Sequence, residues 1–433
     1  MLKIYKLNDL SKSEVDNLFI RNADEDHSIQ DRVKNIIAEV KKNGDTALKA
    51  FALQFDKIEL SELYIGNEEL QRLAQTVPAL QKKALNTAYS NIYNFHLSQV
   101  GKEEVVETMP GVSCWRDSRA IERVGLYVPG GTAVLPSTFL MLGIPAKIAG
   151  CKEIIVCSPP QKDGKINAFI AYCAILLKID KIYLAGGAQA IAAMAYGTET
   201  IPKVDKIYGP GNQYVTGAKN IIQSTTQTAI DMPAGLSEVL IIADEHSDPE
   251  FVAADLAAQA EHGIDSQVVL VSTSTKFVES LQKELLTQVP VLPRSEIAKK
   301  AFLNSYAIIV DNLNEAMNFS NAYAPEHLIL AVENWQELID KIVNAGSVFL
   351  GKYTPESAGD YASGTNHTLP TSSYAKSYSG VSVDSFVKKI TFQHITGSGL
   401  KNLGPTVEIL AELEGLQAHK NAVTVRLKNL PID

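Results

Sequence analysis

Residues 123–138, RVGLYVPGGTAVLPST, decide the fold class of this chain. A short β-branched run, Val124–Val128, enters a glycine-containing turn, and a helical stretch, Ser137–Ala149, follows it. Similar strand-like and helical runs continue along the chain: Glu153–Cys157, Lys181–Ala185, Ala188–Tyr196, Lys206–Tyr208 and Gly211–Gln223. Strand–helix alternation with this spacing predicts βαβ units and a parallel sheet.

The alternation starts again after Met232-Pro233-Ala234-Gly235. Strands separated by helices are expected at Val239–Ala243, Gln267–Val271, Ala307–Val310, Leu328–Ala331 and Ser347–Leu350. At 433 residues the chain is too long for one hydrophobic core. We therefore predict an α/β fold with two globules, each a parallel sheet of incomplete Rossmann-like βαβ units.

The flanking segments complete the predicted organisation. A helical N-terminal segment (1–22) precedes a first globule formed by 23–122 with 236–380, and 123–235 form the second globule. Residues Tyr353–Gly380 read as a long loop of the kind that often binds ligands. The helical C-terminal tail, 381–433, has little core of its own, so it must dock on its own body or on a neighbouring subunit.

Composition excludes several classes of protein. The net charge is −9 and no dense Lys/Arg run occurs, which disfavours nucleic-acid and anionic-membrane partners. The N-terminus does not resemble a signal peptide, and the chain lacks a run of about 18 apolar residues that could span a bilayer. Three of the four cysteines lie in apolar segments, as expected for buried thiols in a reducing cytoplasm.

Two short motifs combine groups that can bind a metal or transfer protons. Gln259 and His262 are three residues apart, so on a helix they share a face and could bind zinc together. Without further partners, a solvated or hydrogen-bonded helix histidine is the better interpretation of His262. Glu326 and His327 precede an apolar run, where the imidazole could exchange protons and the carboxyl could activate water. An incidental helix-to-strand turn explains the second motif equally well.

Two further motifs are weaker. Asp360 follows a glycine in the long loop and could supply the anionic oxygen that Gln259 and His262 lack. His367, in the same loop, is left outside the metal set. Glu414 and His419 lie in the tail, where surface residues of these types are common.

Glycine-bearing turns follow three of the predicted strands. They are Tyr127-Val128-Pro129-Gly130-Gly131, Ala185-Gly186-Gly187-Ala188-Gln189 and Tyr208-Gly209-Pro210-Gly211-Asn212. Together they would line the carboxyl edge of a parallel sheet, where α/β proteins usually bind ligands. No G-x-G-x-x-G or Walker A motif is present, so the turns alone do not identify a nucleotide.

Long segments between about residues 121 and 420 resemble the histidinol dehydrogenase family. They are RVGLYVPGGTAVLPST, AGGAQAIAAMAYGTE, PKVDKIYGPGNQYVTGAK, AIDMPAGLSEVLIIAD, AAQAEHGIDSQ, APEHL, GDYASGTNHTLPT and EGLQAH. The resemblance implies oxidation of L-histidinol through an aldehyde to L-histidine, with two NAD+ and water. It also implies a homodimer with shared active sites.

The resemblance further implies roles for individual residues. One Zn²⁺ per subunit would be held by Gln259, His262, Asp360 and His419, the last from the partner's tail. These ligands would also contact the substrate, in a pocket completed by Ser237, Glu326, His327 and Glu414. His327 would act as base and Glu326 would activate water, while NAD+ would contact Tyr127, Gln189 and Asn212.

Other classes of function remain open on the residues alone. A thiol-dependent aldehyde dehydrogenase would use Cys114 or Cys151, but neither has an evident basic partner. A zinc hydrolase would need no nucleotide; the missing H-E-x-x-H motif and the three glycine turns count against it. A non-catalytic binding module would ignore NAD+.

Overall fold

A computed structural model describes residues 1–21, 27–101, 103–130, 134–233 and 235–430. Gly131 and Ala234, from two of the segments quoted above, lie outside the described residues. The chain divides into two compact units, Met1–Gln99 with Ile121–Phe386 and Val100–Ala120 with Val387–Asp433. Within the described residues, no helix has the length and apolar content needed to cross a membrane.

The strands are β1 (Lys3–Lys6), β2 (Tyr64–Gly66), β3 (Val106–Met109), β4 (Val112–Ala120), β5 (Arg123–Tyr127), β6 (Glu153–Ser158), β7 (Lys181–Leu184), β8 (Lys206–Tyr208), β9 (Ala229–Ile230), β10 (Glu238–Ala243), β11 (Gln267–Ser272), β12 (Tyr306–Ile309), β13 (His327–Leu330), β14 (Ser347–Leu350) and β15 (Val387–Ile395).

The α-helices are α1 (Lys12–Leu18), α2 (His27–Phe51), α3 (Asn67–Gln75), α4 (Ala79–Leu97), α5 (Pro136–Ala149), α6 (Ala168–Leu177), α7 (Gly187–Tyr196), α8 (Gln213–Thr225), α9 (Pro249–Ala260), α10 (Thr275–Gln288), α11 (Ser295–Leu303), α12 (Leu313–Tyr323), α13 (Glu356–Tyr361), α14 (Gly397–Leu413) and α15 (Gln417–Lys428).

The first unit contains two sheets, which confirms the predicted α/β fold. The first sheet has the order β1-β12-β11-β10-β13-β14 and is parallel throughout. The second has the order β2-β7-β6-β5-β8-β9 and is parallel except at β2. Every residue of β10 and β13 is buried, because helices cover both faces of a parallel sheet.

The boundaries of the first globule differ from the prediction. Residues 23–122 were expected to join 236–380, but β2 pairs with β7 and the helices α2, α3 and α4 contribute to the core of the second sheet. Val33, Leu70 and Ile92 are buried in one cluster with Leu126. These helices have apolar faces that either sheet could cover, so their sequence alone does not choose between the sheets.

Both ends of the chain also contain strands where helices were expected. In the segment 1–22, Lys3–Lys6 forms β1, an edge strand paired with β12, ahead of the short helix α1. In the tail 381–433, β15 pairs antiparallel with β4 inside the second unit before α14 and α15 begin. The expected loop Tyr353–Gly380 contains the short helix α13.

Gly209 shows how closely the second sheet packs against the turn that follows β8. Its φ is +127°, and an added Cβ would lie 2.2 Å from the carbonyl oxygen of Tyr127. We expect Gly209→Ala to lower the free energy of unfolding by about 1–3 kcal/mol, the usual cost of such backbone strain. Chemical denaturation measures this change.

Gly101→Ala is the matched control, because nothing lies within 4 Å of an added Cβ there. It should change the free energy of unfolding by no more than about 0.5 kcal/mol. Equal stability of the two variants would contradict the close packing at Gly209.

Candidate active site

Glu326 and His327 are held by the backbone of one residue on the neighbouring strand. The N–H of Glu238 donates to Oε2 of Glu326 at 2.9 Å, and Nδ1 of His327 lies 3.0 Å from the Glu238 carbonyl oxygen. Both side chains are buried at the amino ends of β10 and β13, where Val239 is in register with His327. The turn that leads into them includes Ala324, which has a φ of +55°.

This contact fixes the hydrogen-bonding roles of the His327 ring. Because Nδ1 faces a carbonyl oxygen, it must carry the proton, and in the neutral ring Nε2 is then the acceptor. Nε2 is buried without a hydrogen-bond partner among the described residues and lies 3.4 Å from Oδ1 of Asp360. The structure therefore leaves Nε2 as the nitrogen that can exchange a proton.

Three carboxyl groups surround this imidazole: Glu326, Glu356 and Asp360. Burial raises the pKa of Glu326 and of Glu356 to about 8 in each case. Burial works against a charged His327, but attraction to Glu356, to Glu326 and to the nearby Asp360 carboxylate holds its pKa well above the usual value. The pKa of Asp360 is lowered, because attraction to the nearby His327 ring outweighs its burial.

Glu356 was not identified from the sequence. It lies four residues before Asp360 on α13, so both carboxyl groups share a helix face. Ligand atoms of His327, Glu356 and Asp360 all lie within 4.8 Å of one another, close enough to hold a metal ion. This cluster shares only Asp360 with the predicted ligand set, and the i, i+4 spacing is the sequence signal that could have found Glu356.

Gln259 has the clearest need for an additional partner. Its side chain is fully buried on α9, and neither Oε1 nor Nε2 has a hydrogen-bond partner among the described residues. Leaving a buried polar group unsatisfied costs about 1–3 kcal/mol. A ligand or metal at this position would remove that cost.

His262 lies beside α9 rather than on it. The helix ends at Ala260, and His262 is exposed in the following turn, with Nδ1 3.2 Å from the carbonyl oxygen of Ala258. Helix α9 packs against α13, and the charge of His262 contributes to lowering the pKa of Asp360. Gln259, His262 and Asp360 therefore belong to one neighbourhood of the first unit.

His367 connects Asp360 to the second sheet. Its Nδ1 lies 2.9 Å from the Asp360 carbonyl oxygen, and its Nε2 lies 2.8 Å from the hydroxyl of Thr138 on α5. Both ring nitrogens thus have protein partners. Burial lowers the pKa of His367, which favours the neutral ring.

Ser237 immediately precedes β10, and its carbonyl oxygen accepts the N–H of Gln267. It is the sequence neighbour of Glu238, whose backbone holds Glu326 and His327. Glu414 and His419 are exposed residues of the second unit, on the turn after α14 and on α15. Their participation in the site stays a prediction.

The predicted dinucleotide-binding residues lie at the carboxyl edge of the second sheet. Tyr127 ends β5, and its hydroxyl accepts the N–H of Gly187, in the turn that carries Gln189. Asn212 follows β8 and caps α8, with its side chain accepting the N–H of Tyr214. Three strands thus end at turns along one edge, as a ligand-binding crevice requires.

A buried ion pair secures the last of these turns. The ammonium of Lys219 pairs with the Asp231 carboxylate and donates to the Gly209 carbonyl oxygen at 3.0 Å. The same carboxylate accepts the N–H of Gly209 at 2.9 Å. The N–H and the carbonyl oxygen of Gly209 are therefore both held by this ion pair.

Comparisons with known proteins agree on one family. The family model for histidinol dehydrogenase matches residues 20–427. Histidinol dehydrogenase of Bacteroides thetaiotaomicron is 54% identical over 432 residues, covering 99% of this chain and 100% of that protein. Chloroplastic histidinol dehydrogenase of Arabidopsis thaliana is 54% identical over 437 residues, covering 99% and 92%.

A solved structure extends the agreement to the fold. The crystal structure of histidinol dehydrogenase from Elizabethkingia anophelis matches with a TM-score of 0.96 at 51% identity. The match covers 99% of this chain and 98% of that one. This chain therefore belongs to the histidinol dehydrogenase family.

Proposed function

We propose that this chain oxidises L-histidinol through L-histidinaldehyde to L-histidine, the last steps of histidine biosynthesis, using two NAD+ and water. The observation that carries the proposal is the placement of Glu326 and His327 on the backbone of Glu238, with Nε2 of His327 free to exchange a proton. The imidazole of His327, which can exchange protons, and the carboxyl group of Glu326 are thereby held side by side.

His327 serves both oxidations as the proton acceptor. Its Nε2 takes the proton of the substrate alcohol while a hydride passes from the carbon to the nicotinamide of the first NAD+. The aldehyde stays bound and adds a water molecule that Glu326 activates. His327 releases the first proton to solvent and then takes a proton from the hydrated aldehyde while a second hydride passes to a second NAD+, which gives the acid. Retaining the aldehyde keeps the reacting groups in attack geometry.

The residues around Gln259 fit a divalent cation such as Zn²⁺. The unsatisfied Gln259 amide, the ionised Asp360 and the exposed His262 offer oxygen and nitrogen ligands, and His419 of a second subunit would complete the set. Zn²⁺ would act as a template that anchors the imidazole and amino nitrogens of the substrate. A cation bound by Asp360 would weaken the attraction of this carboxylate for the His327 proton, which would help the imidazole to act as a base.

The remaining predicted residues complete the proposal. Ser237 and Glu414 would line the substrate pocket, Glu414 reaching in from the partner, and Tyr127, Gln189 and Asn212 would contact NAD+. The active assembly would be a homodimer without nucleic-acid or membrane partners. The four free cysteines support a location in the cytoplasm.

His327→Asn tests the role of the imidazole. We expect kcat to fall about 10²- to 10⁴-fold, the usual contribution of one general acid–base group, while zinc content and fold persist. NADH absorbance with histidinol measures the rate. His246→Asn is the control, because His246 is largely exposed and pairs only with the neighbouring Glu245 among the described residues. Near-normal turnover of His327→Asn would refute the assignment.

Shared active sites predict complementation between two inactive proteins. His262→Ala and His419→Ala should each lose metal and activity. In a mixed dimer, one of the two sites lacks both ligands and the other retains both, so part of the activity should return once subunits exchange. A mass-tagged copy verifies exchange, and no recovery despite exchange would contradict the shared site.

The alternative function, a thiol-dependent aldehyde dehydrogenase, would instead require a reactive thiolate. Cys151 is buried, and burial raises the pKa of its thiol to about 11, so the thiolate is scarce at neutral pH. Cys114 lies on β4 and is only partly buried.

Cys151→Ala and Cys114→Ala should each leave kcat unchanged. Iodoacetamide at about pH 8 should label Cys151 only after unfolding, because its thiolate forms in quantity only near pH 11 in the folded protein. Peptide mass spectrometry locates the label. Loss of turnover in either variant would restore the thiol mechanism.

A further inference from the structure

A buried ion pair includes Glu238, the residue whose backbone holds Glu326 and His327. Nε of Arg21 lies 3.2 Å from Oε1 of Glu238, and the two side chains are 3% and 0% exposed. Neither residue is among those predicted for the substrate, metal or NAD+. Removing two charges from water is costly, so a pair in this position needs favourable geometry to be tolerated.

Arg21 fixes the segment that leads into the catalytic pair. Its guanidinium lies over the ring of Tyr323, 3.6 Å from the centroid, and donates to the Tyr323 carbonyl oxygen at 2.7 Å. It also donates to the hydroxyl of Ser373. Tyr323 ends α12, three residues before Glu326. Arg21 therefore fixes the start of the turn that leads from α12 to Glu326.

Glu238 fixes the other side of the same pair. Its Oε1 accepts the N–H of Ser372 at 2.8 Å in addition to facing Arg21. Its own N–H and carbonyl oxygen hold Glu326 and His327, as described above. A shift of the Glu238 side chain would move the peptide groups that orient both catalytic side chains.

We propose that Arg21 and Glu238 are positioning residues of the reaction, which together hold the Glu326 carboxyl and the His327 imidazole in register for both oxidations. This inference rests on the proposed function. The two residues act through the Glu238 backbone and through Tyr323, without touching substrate or NAD+. Because a displacement of about 1 Å can lower a rate on the order of 10²-fold, the pair should influence kcat more than substrate binding.

The test uses the full-length, zinc-loaded enzyme and four variants. Arg21→Met removes the guanidinium, and Arg21→Lys keeps the charge but loses the planar donor set. Glu238→Gln keeps the shape and the acceptor for Ser372, and the fourth variant combines Arg21→Met with Glu238→Gln. Lys152→Met is the control, because its partner Glu122 and Lys152 itself are both well exposed.

We expect Arg21→Met to lower kcat on the order of 10²-fold, with little change in zinc content or in KM for histidinol and NAD+. Glu238→Gln should lower kcat less, and Arg21→Lys should retain more activity than Arg21→Met. The double variant should recover part of the loss of Arg21→Met, because no buried carboxylate is then left unpaired. Lys152→Met should behave like the parent.

Rates are expressed per folded, zinc-containing subunit. A variant that only folds less efficiently or binds less zinc would therefore show the parental kcat. If Arg21→Met does not fold, Glu238→Gln and Arg21→Lys carry the test. Parental kcat in the folded variants, or a loss confined to KM, would overturn the positioning role. A parent enzyme that produces no NADH from histidinol would instead overturn the proposed function.

Discussion

The site depends on one pair of hydrogen bonds, made by the backbone of Glu238 to Glu326 and His327. β10 and β13 pair in parallel register, and the peptide groups of Glu238 at their amino ends are directed to side chains of the adjacent strand. The buried Arg21 stabilises this arrangement from behind. The local backbone therefore determines which nitrogen of the imidazole is protonated and which can react.

The candidate site residues lie at opposite edges of the two sheets. Glu238 and His327 begin strands of the first sheet, whereas Tyr127 ends a strand of the second. The bridge from Asp360 through His367 to Thr138 joins the loop beside the first sheet to a helix of the second. Under the proposed function, the substrate and NAD+ would thus be bound at different sheets of one compact unit.

Sequence reasoning located much of this arrangement. β-branched runs identified β8 and β14 with their observed bounds, and the glycine turns correctly indicated the carboxyl edge of the second sheet. The assignment of 23–122 failed because amphipathic helices do not encode which sheet covers them. Arg21 and Glu238 escaped notice because an ion pair joining residues 217 positions apart has no local pattern.

The central claim is that one site, built on Glu238, carries out both oxidations without releasing the aldehyde. Its most direct test counts NADH formed per histidinol consumed, with and without a reagent that traps free aldehydes. We expect two NADH per histidinol in both conditions, with histidine as the product. One NADH per histidinol, with the aldehyde recovered in the trap, would contradict the claim.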